Sequence, residues 1–376
     1  MRICYLANAE SIHTQRWVEY FANRGHEVHL ISRKTFGNNN NIKNVNLHLI
    51  NRLKLQIRII SYPIDVLFNI FQIKKLIRQI KPDILHVHYI SDLAVLGALT
   101  GFHPYVASVW GSDVLRNPKK SKIMKYRVSY ALIKADMILT IPEFMKKYLV
   151  NMYNLPRNKI VRIPWGIDLN IFHSGYENET RRMKEKIGIK INSPVILSNR
   201  GMAPQYQIEK IIKAIPYTIK IFPDTIFIFI KGYGLSEFEE KMKLLTEKLN
   251  ISNNTYFISK ILTPEEMVIY LNMANVLISI PETDQFSSSI MEGMACGVIP
   301  IVSNIKVYEQ YLKNEINAFV VNPNNPKDIA EKINYCIKHP EIQNKFYNIN
   351  KKIIEENENW DENSEKMMML YKNLLK

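Results

Sequence analysis

The chain predicts an α/β protein built from two Rossmann-like sheets. Three observations predict it. Short runs rich in branched apolar residues alternate with helix-patterned stretches from the first residues onward, the pattern of buried parallel strands joined by crossover helices. The runs form two series, separated at about residues 168–192 by a polar, charged stretch with Gly175 and a cluster of Glu, Arg and Lys. At 376 residues the chain is long for one core, and its 47% apolar content is enough for two.

Taken in order, the first series of expected strands is Ile3–Ala7, Val28–Ile31, Leu47–Ile50, Ile84–Val87, Tyr105–Val109, Met137–Thr140 and Val161–Ile163. Between the first two, Ser11 or Thr14 is expected to cap a helix carrying Ile12, Arg16 and Trp17, and between the second and third Asn38–Asn41 reads as a short polar turn. Ile64 to Lys81 has an Ile/Leu/Phe-rich helical pattern. The uncharged stretch Leu93 to Ser112 holds Gly97, Gly101, Pro104 and Gly111, so it parses as helix, turn and strand rather than a membrane span. The second series is Val195–Ser198, Thr225–Ile230, Thr255–Ile258, Val276–Ile280, Ile299–Val302 and Phe319–Val321, followed by a charged helical tail over Ile342 to Lys376.

Charge is unevenly placed. Residues 1–170 carry 25 Lys+Arg against 10 Asp+Glu and residues 171–376 carry 25 against 25, so the whole excess of +15 lies in the first half. A basic half suits an anionic partner. Two basic segments are candidates for contact with an anionic membrane: Arg116, Lys119, Lys120, Lys122, Lys125 and Arg127, followed by apolar Tyr130–Ile133, and Lys74, Lys75, Arg78 and Lys81 on the Ile64–Lys81 pattern. A solvated lysine-rich surface is the plainer alternative. No RNA-reading aromatic signature, zinc-finger spacing or basic zipper accompanies the charge, so nucleic acid is not the expected partner. Cys4, Cys296 and Cys336 are too few and scattered for a disulfide framework or metal cluster, which suits a reducing cytoplasm. The amino-terminal apolar run is too short for a signal peptide.

The most informative segment is Pro281 to Gly297, PETDQFSSSIMEGMACG. It follows the expected strand Val276–Ile280, so its polar residues sit past a strand's carboxyl end, where open α/β sheets bind ligands. Ser287, Ser288 and Ser289 would open a helix whose amides and dipole favour a diphosphate. Asp284 and Glu292 are acceptors suited to sugar hydroxyls. The same residues also make sense as a helix cap and a solvated helical carboxylate.

The segment resembles the donor-site motif of the family 4 glycosyltransferases, two glutamates separated by seven residues and followed by a Gly/Ala-Met-Ala-x-Gly helix. Asp284 stands at the first glutamate and Glu292 at the second; the resemblance assigns the first to hydroxyls of the donor sugar and the second to the nucleotide ribose. Lys81 to His88, KPDILHVH, resembles the family's Pro-Asp-x-x-His-x-His strand. Its two histidines fall on one strand face about 6.6 Å apart, and the resemblance turns His88 toward the cleft. Ala107 to Asp113, ASVWGSD, is similar to a His-Gly-x-Asp turn with Trp110 for the histidine; Gly111 permits close backbone approach, and Asp113 accepts hydrogen bonds from the turn or the sugar. Val161 to Phe172, with Gly166 and Asp168, resembles the signature at the domain connection and reads as a structural turn. Arg200 ends the first strand of the second half, where a guanidinium suits a departing diphosphate. The lysine usual a few residues later is absent, and Lys231, past the next strand, is the candidate substitute. Asn8 to Trp17 replaces the family's double-glycine loop.

The resemblance implies a GT-B fold, two Rossmann-like domains facing each other across a cleft. The expected limits are 1–170 for the acceptor-side domain and 171–355 for the nucleotide-sugar domain, with a helix at 356–376 packing back on the first. It implies retaining transfer from a nucleotide-sugar, UDP before GDP, with no essential metal and no other cofactor. Arg200, Asp284 and His88 are the expected catalytic residues; Glu292, Ser287, Ser288, Ser289, Lys231, Gly111 and Asp113 are expected to bind the donor. The acceptor is expected to be a saccharide or lipid-linked saccharide at the inner face of the cytoplasmic membrane, in surface polysaccharide or glycolipid synthesis. A sugar-nucleotide epimerase and a non-catalytic binding protein on the same fold are the alternatives.

Overall fold

A computed structural model describes residues 1–37, 42–51, 58–232, 234–284 and 286–376, of which 58–63 by their backbone alone. The expected turn at 38–41 lies outside the described residues. The chain divides into two compact units, Met1–Pro164 with Ser364–Lys376, and Trp165–Asn363. The division therefore falls a few residues before the expected limit at 170, and the carboxyl-terminal segment that joins the first unit begins at Ser364 rather than 356.

The first unit holds a seven-stranded sheet: β1 (Arg2–Leu6), β2 (Glu27–Ser32), β3 (Val45–Leu49), β4 (Ile84–His88), β5 (Tyr105–Ser108), β6 (Met137–Thr140) and β7 (Ile160–Arg162), in the order β3-β2-β1-β4-β5-β6-β7. Every pairing is parallel; Ile3 lies opposite both Val28 and Ile84. Parallel strands are covered on both faces, which is why Ile3, Cys4, Tyr5 and Leu6 of β1 run without polar alternation. Leu6, Leu85, Ala107 and Ile138 pack with Leu96, Leu132 and Leu149 of the covering helices in one core. The stretch 93–112 resolves into the helix Asp92–Thr100, a left-handed Gly101 at its end, and β5. Among the described residues no helix is long and apolar enough to cross a membrane.

The second unit holds six parallel strands: β8 (Val195–Ser198), β9 (Ile226–Ile230), β10 (Thr255–Ile258), β11 (Val276–Ser279), β12 (Ile299–Ser303) and β13 (Phe319–Val321), in the order β10-β9-β8-β11-β12-β13. Strand order reverses between β8 and β11, the topological switch point at which such sheets place their ligands. Ile196, Phe227, Ile278 and Ile301 of the sheet pack with Ile211 and Ile215 of the helix Ile208–Ile219 and with Ile329 and Ile333 of the helix Pro326–Lys338. The helical tail is two helices, Glu341–Asn357 and Trp360–Leu374. At the break between them the Ile167 N–H donates to the Glu358 carbonyl and the Trp360 N–H to the Ile167 carbonyl, so the expected turn at Gly166 to Asp168 is tied to the chain's last segment.

Candidate active site

In the second unit, β8 and β11 are neighbours, and their carboxyl ends bring Arg200 and Asp284 together. The Arg200 Nη1 lies 3.1 Å from the Asp284 Oδ2, with both side chains nearly buried, 7% and 11% exposed. Tyr308, beyond β12, donates its hydroxyl to the same oxygen at 2.8 Å. The Tyr206 ring lies 4.4 Å under the guanidinium. Burial, the largest single influence on Arg200, pushes its pKa down, but Asp284 first, then the Tyr308 and Tyr206 oxygens, outweigh it and raise the pKa. The guanidinium stays charged in the interior. Burial and the neighbouring Asp284 hold the Tyr308 phenol well above its ordinary range, so it remains a neutral donor.

The helix Ser288–Ala295 begins beside this pair. Ser287 caps it by accepting from the Ser289 N–H at 3.1 Å, and Asn199, next to Arg200, donates its Nδ2 to the Ser289 carbonyl at 3.3 Å. Gly293 sets how closely the helix lies on the sheet, since a Cβ there would stand 2.4 Å from the Leu277 Cδ2. Glu292 is half-buried on this helix near Cys296; burial first, then Glu292, pushes the Cys296 thiol up and keeps it un-ionised. Of the two roles read from the sequence for Ser287, the helix cap is the one the geometry shows, and the cap stands at the switch point.

Lys231 stands at the expected strand end but is already engaged within the unit. The register of β8 on β9, Ser198 opposite Phe229, carries it to the strand end beside Arg200's. Its Nζ, however, donates to the Ser236 hydroxyl at 2.7 Å and lies 3.3 Å from Glu239. Glu239 is buried, and its pKa is lowered: burial works upward, while hydrogen bonds from Ser259, Lys243 and Lys231 together prevail. Lys231 is thus one cation of a buried carboxylate cluster rather than an unengaged partner of Arg200.

A cavity of about 680 Å³ opens past β11, β12 and β13, lined among others by Gln207, Lys210, Glu282, Ser303, Asn304 and Asn322. None of the expected site residues lines it. Among the described residues, no three His, Cys, Asp or Glu side chains gather as a metal site.

In the first unit, His88 ends β4 and is 4% exposed. Its Nδ1 lies 3.2 Å from the Thr14 hydroxyl, and its ring packs against Tyr5, His86 and Trp110. Burial, then His13, lowers its pKa to about 3, so it is a neutral imidazole at physiological pH. Thr14 is therefore a partner of His88; the helix cap position belongs to Ser11, without a side-chain cap bond. Trp110 packs edge-on against His13 at 5.6 Å and Tyr89 at 5.9 Å. Gly111 has φ 103°, a conformation that glycine alone adopts readily.

Asp113 requires a correction. It is fully buried, and its carboxylate accepts from the backbone N–H groups of Gly111 at 2.6 Å, Ile90 at 2.8 Å, Val114 at 3.1 Å and Trp110 at 3.1 Å. Burial raises its pKa against these bonds. Asp113 builds the turn and does not present its carboxylate to a ligand.

Two families match in tandem: residues 2–141 match Glycosyl transferase 4-like, and residues 179–353 match Glycosyl transferases group 1. The chain belongs to the family 4 glycosyltransferases. This transferase is 23% identical to an uncharacterized glycosyltransferase of Methanocaldococcus jannaschii, over 96% of the chain and 93% of the relative. It is 22% identical to the alpha-monoglucosyldiacylglycerol synthase of Acholeplasma laidlawii, over 85% and 82%. The crystal structure of Anabaena HepE in complex with UDP-glucose shares the fold, with a TM-score of 0.82 at 14% identity over 99% of this chain and 100% of HepE. The two sheets of seven and six strands are those of a GT-B glycosyltransferase.

Several residues of the candidate site carried no sequence signal. Tyr308 and Tyr206 lie outside any motif, and Glu239 reads as an ordinary helical carboxylate. Strand order brings Tyr308 to Arg200 and Asp284, whereas Tyr206 and Glu239 reach Arg200 and Lys231 from the loop and helix that follow each strand.

Proposed function

We propose that the transferase moves a sugar from a UDP-sugar, with retention of configuration, to a saccharide or lipid-linked saccharide at a membrane surface, in surface polysaccharide or glycolipid synthesis. One observation carries the reading: a buried, charged Arg200 beside Asp284 at the β8/β11 switch point, joined through Asn199 to the start of the helix Ser288–Ala295. A guanidinium has five N–H donors, and Asp284 is met at one nitrogen, so the fork can also hold diphosphate oxygens. With the amides at Ser287–Ser289 it stabilises charge as the diphosphate departs. Asp284 turns its carboxylate to the sugar hydroxyls and Glu292 takes the ribose. The acceptor hydroxyl then attacks the oxocarbenium-like sugar on the face the diphosphate leaves and gives its proton to a departing diphosphate oxygen, with His88 as a neutral hydrogen-bonding group rather than a proton store. The reading assigns no metal to the reaction.

UDP is favoured by the nucleotide that HepE binds in its complex. A membrane-presented acceptor is favoured by two helices of the first unit that both pack on the helix Asp92–Thr100. Helix Arg58–Ile80 leaves Leu67 and Phe71 67% and 66% exposed, and helix Lys122–Lys134 leaves Ile123 and Tyr126 73% and 72% exposed. Lys74, Lys75, Arg78, Lys119, Lys120, Lys122 and Lys125 accompany them, the mixture of apolar and cationic side chains that interfacial helices use. A glycolipid synthase among the relatives points the same way.

A panel of UDP- and GDP-sugars, incubated with and without membrane extract, tests the reaction. Acceptor-dependent release of nucleoside diphosphate, undiminished by EDTA, is expected. Conversion of the sugar nucleotide without release marks an epimerase, and binding without turnover a non-catalytic protein. In flotation, recovery with anionic liposomes should exceed that with neutral ones; equal recovery removes the electrostatic argument for a membrane acceptor.

A further inference from the structure

We infer that Tyr371, on the last helix of the chain, is a positioning residue that holds the His88–Trp110 wall of the first unit through His86 and Ser108. The inference rests on the reading that His88 serves the reaction. Tyr371 is fully buried, and its hydroxyl lies 2.5 Å from the His86 Nδ1 and 3.1 Å from the Tyr5 hydroxyl. The other ring nitrogen of His86, Nε2, lies 2.7 Å from the Ser108 hydroxyl. Burial, then His88, lowers the His86 pKa well below its ordinary value, so the ring is neutral. A neutral imidazole has one N–H and one lone pair, so Tyr371 and Ser108 must take opposite roles, and donation through the group runs in one sense.

That arrangement reaches both sides of the wall. On β4, the His86 ring stands edge-on to His88 with centroids 4.6 Å apart and planes at 88°, and Tyr5 meets His88 at 5.0 Å. On β5, Ser108 is the last strand residue before Val109 and Trp110, whose ring lies 5.7 Å from that of His88. An apolar core side chain would fill the same space, but it would fix neither the tautomer nor the tilt of His86. A fully bonded buried polar network does both.

The Tyr371→Phe chain keeps the ring and removes only the hydroxyl, and its thermal unfolding reports whether it is folded. In the full chain carrying ¹⁵N-histidine, long-range ¹H–¹⁵N spectra should show the His86 and His88 ring nitrogens displaced by this change. His173 and His339 of the second unit should be unmoved. Unmoved His88 signals overturn the inference without reference to any substrate. In the release assay, run with the UDP- and GDP-sugar panel and membrane extract, Tyr371→Phe should lower kcat about tenfold with the donor KM within about twofold. In a His88→Ala background it should cause no further loss. Equal loss in both backgrounds overturns positioning through His88. A wild-type rate for Tyr371→Phe beside a slow His88→Ala sinks this inference alone, whereas a wild-type rate for His88→Ala sinks the underlying reading of His88 and this inference with it.

Discussion

The Arg200 guanidinium and the Asp284 carboxylate meet at 3.1 Å, both almost out of water, in the interior of the second unit. Each makes the other tolerable there, because a lone buried charge costs several kcal/mol. Tyr308 shares the carboxylate oxygen, so the pair is a three-membered cluster.

Asp284→Ala should therefore destabilise the protein by about 3–5 kcal/mol, since Arg200 is left buried without its counter-charge. Asp284→Asn keeps an acceptor for Tyr308 and should fall between Ala and wild type. Chemical denaturation measures both, and a stability unchanged by the alanine would show that the pair is not a buried unit.

Glu292 is assigned to the donor's ribose in the proposed reaction. Replacing it by alanine removes a half-buried helical carboxylate and should weaken nucleotide binding about tenfold or more, the loss of one charged hydrogen bond, in a chain that still melts cooperatively. Calorimetric titration with UDP reads the first and a melting curve the second. An unaltered affinity would remove Glu292 from the nucleotide site.

His86 and His88 set a pH dependence. Their folded pKa values lie below the unfolded value of about 6.5, so the unfolded chain binds more protons between the two. The stability they contribute is complete above about pH 6.5 and is lost as pH falls from there toward the folded pKa values, at about 1.4 kcal/mol per pH unit for each histidine. The melting temperature should drop from pH 7.5 to pH 5, and drop less in His88→Gln. An equal drop in the variant would mean that His88 is not the group being protonated.

Much of the fold was legible because parallel strands covered on both faces are continuous apolar runs. Ile3 to Ala7 and Ile226 to Ile230 announce themselves without neighbours. Arg200 and Asp284 were legible as residues past strand ends. Their pairing was not, because it depends on β11 lying next to β8 rather than on spacing along the chain. Asp113 shows the converse: its motif was visible, but only the folded turn shows four backbone N–H groups converging on its carboxylate. Lys231 looked free because Glu239, its buried partner, sits on the following helix with no marking pattern.

The claim that Arg200 carries the departing diphosphate is tested most directly by nucleoside diphosphate release from the donor panel by Arg200→Lys, alongside wild type and with membrane extract present. Lysine keeps a positive charge beside Asp284 but loses the two-pronged grip. The account predicts a folded protein whose acceptor-dependent release falls about a hundredfold, the scale of one oxyanion-stabilising group. Release at the wild-type rate from the folded Arg200→Lys protein would contradict it.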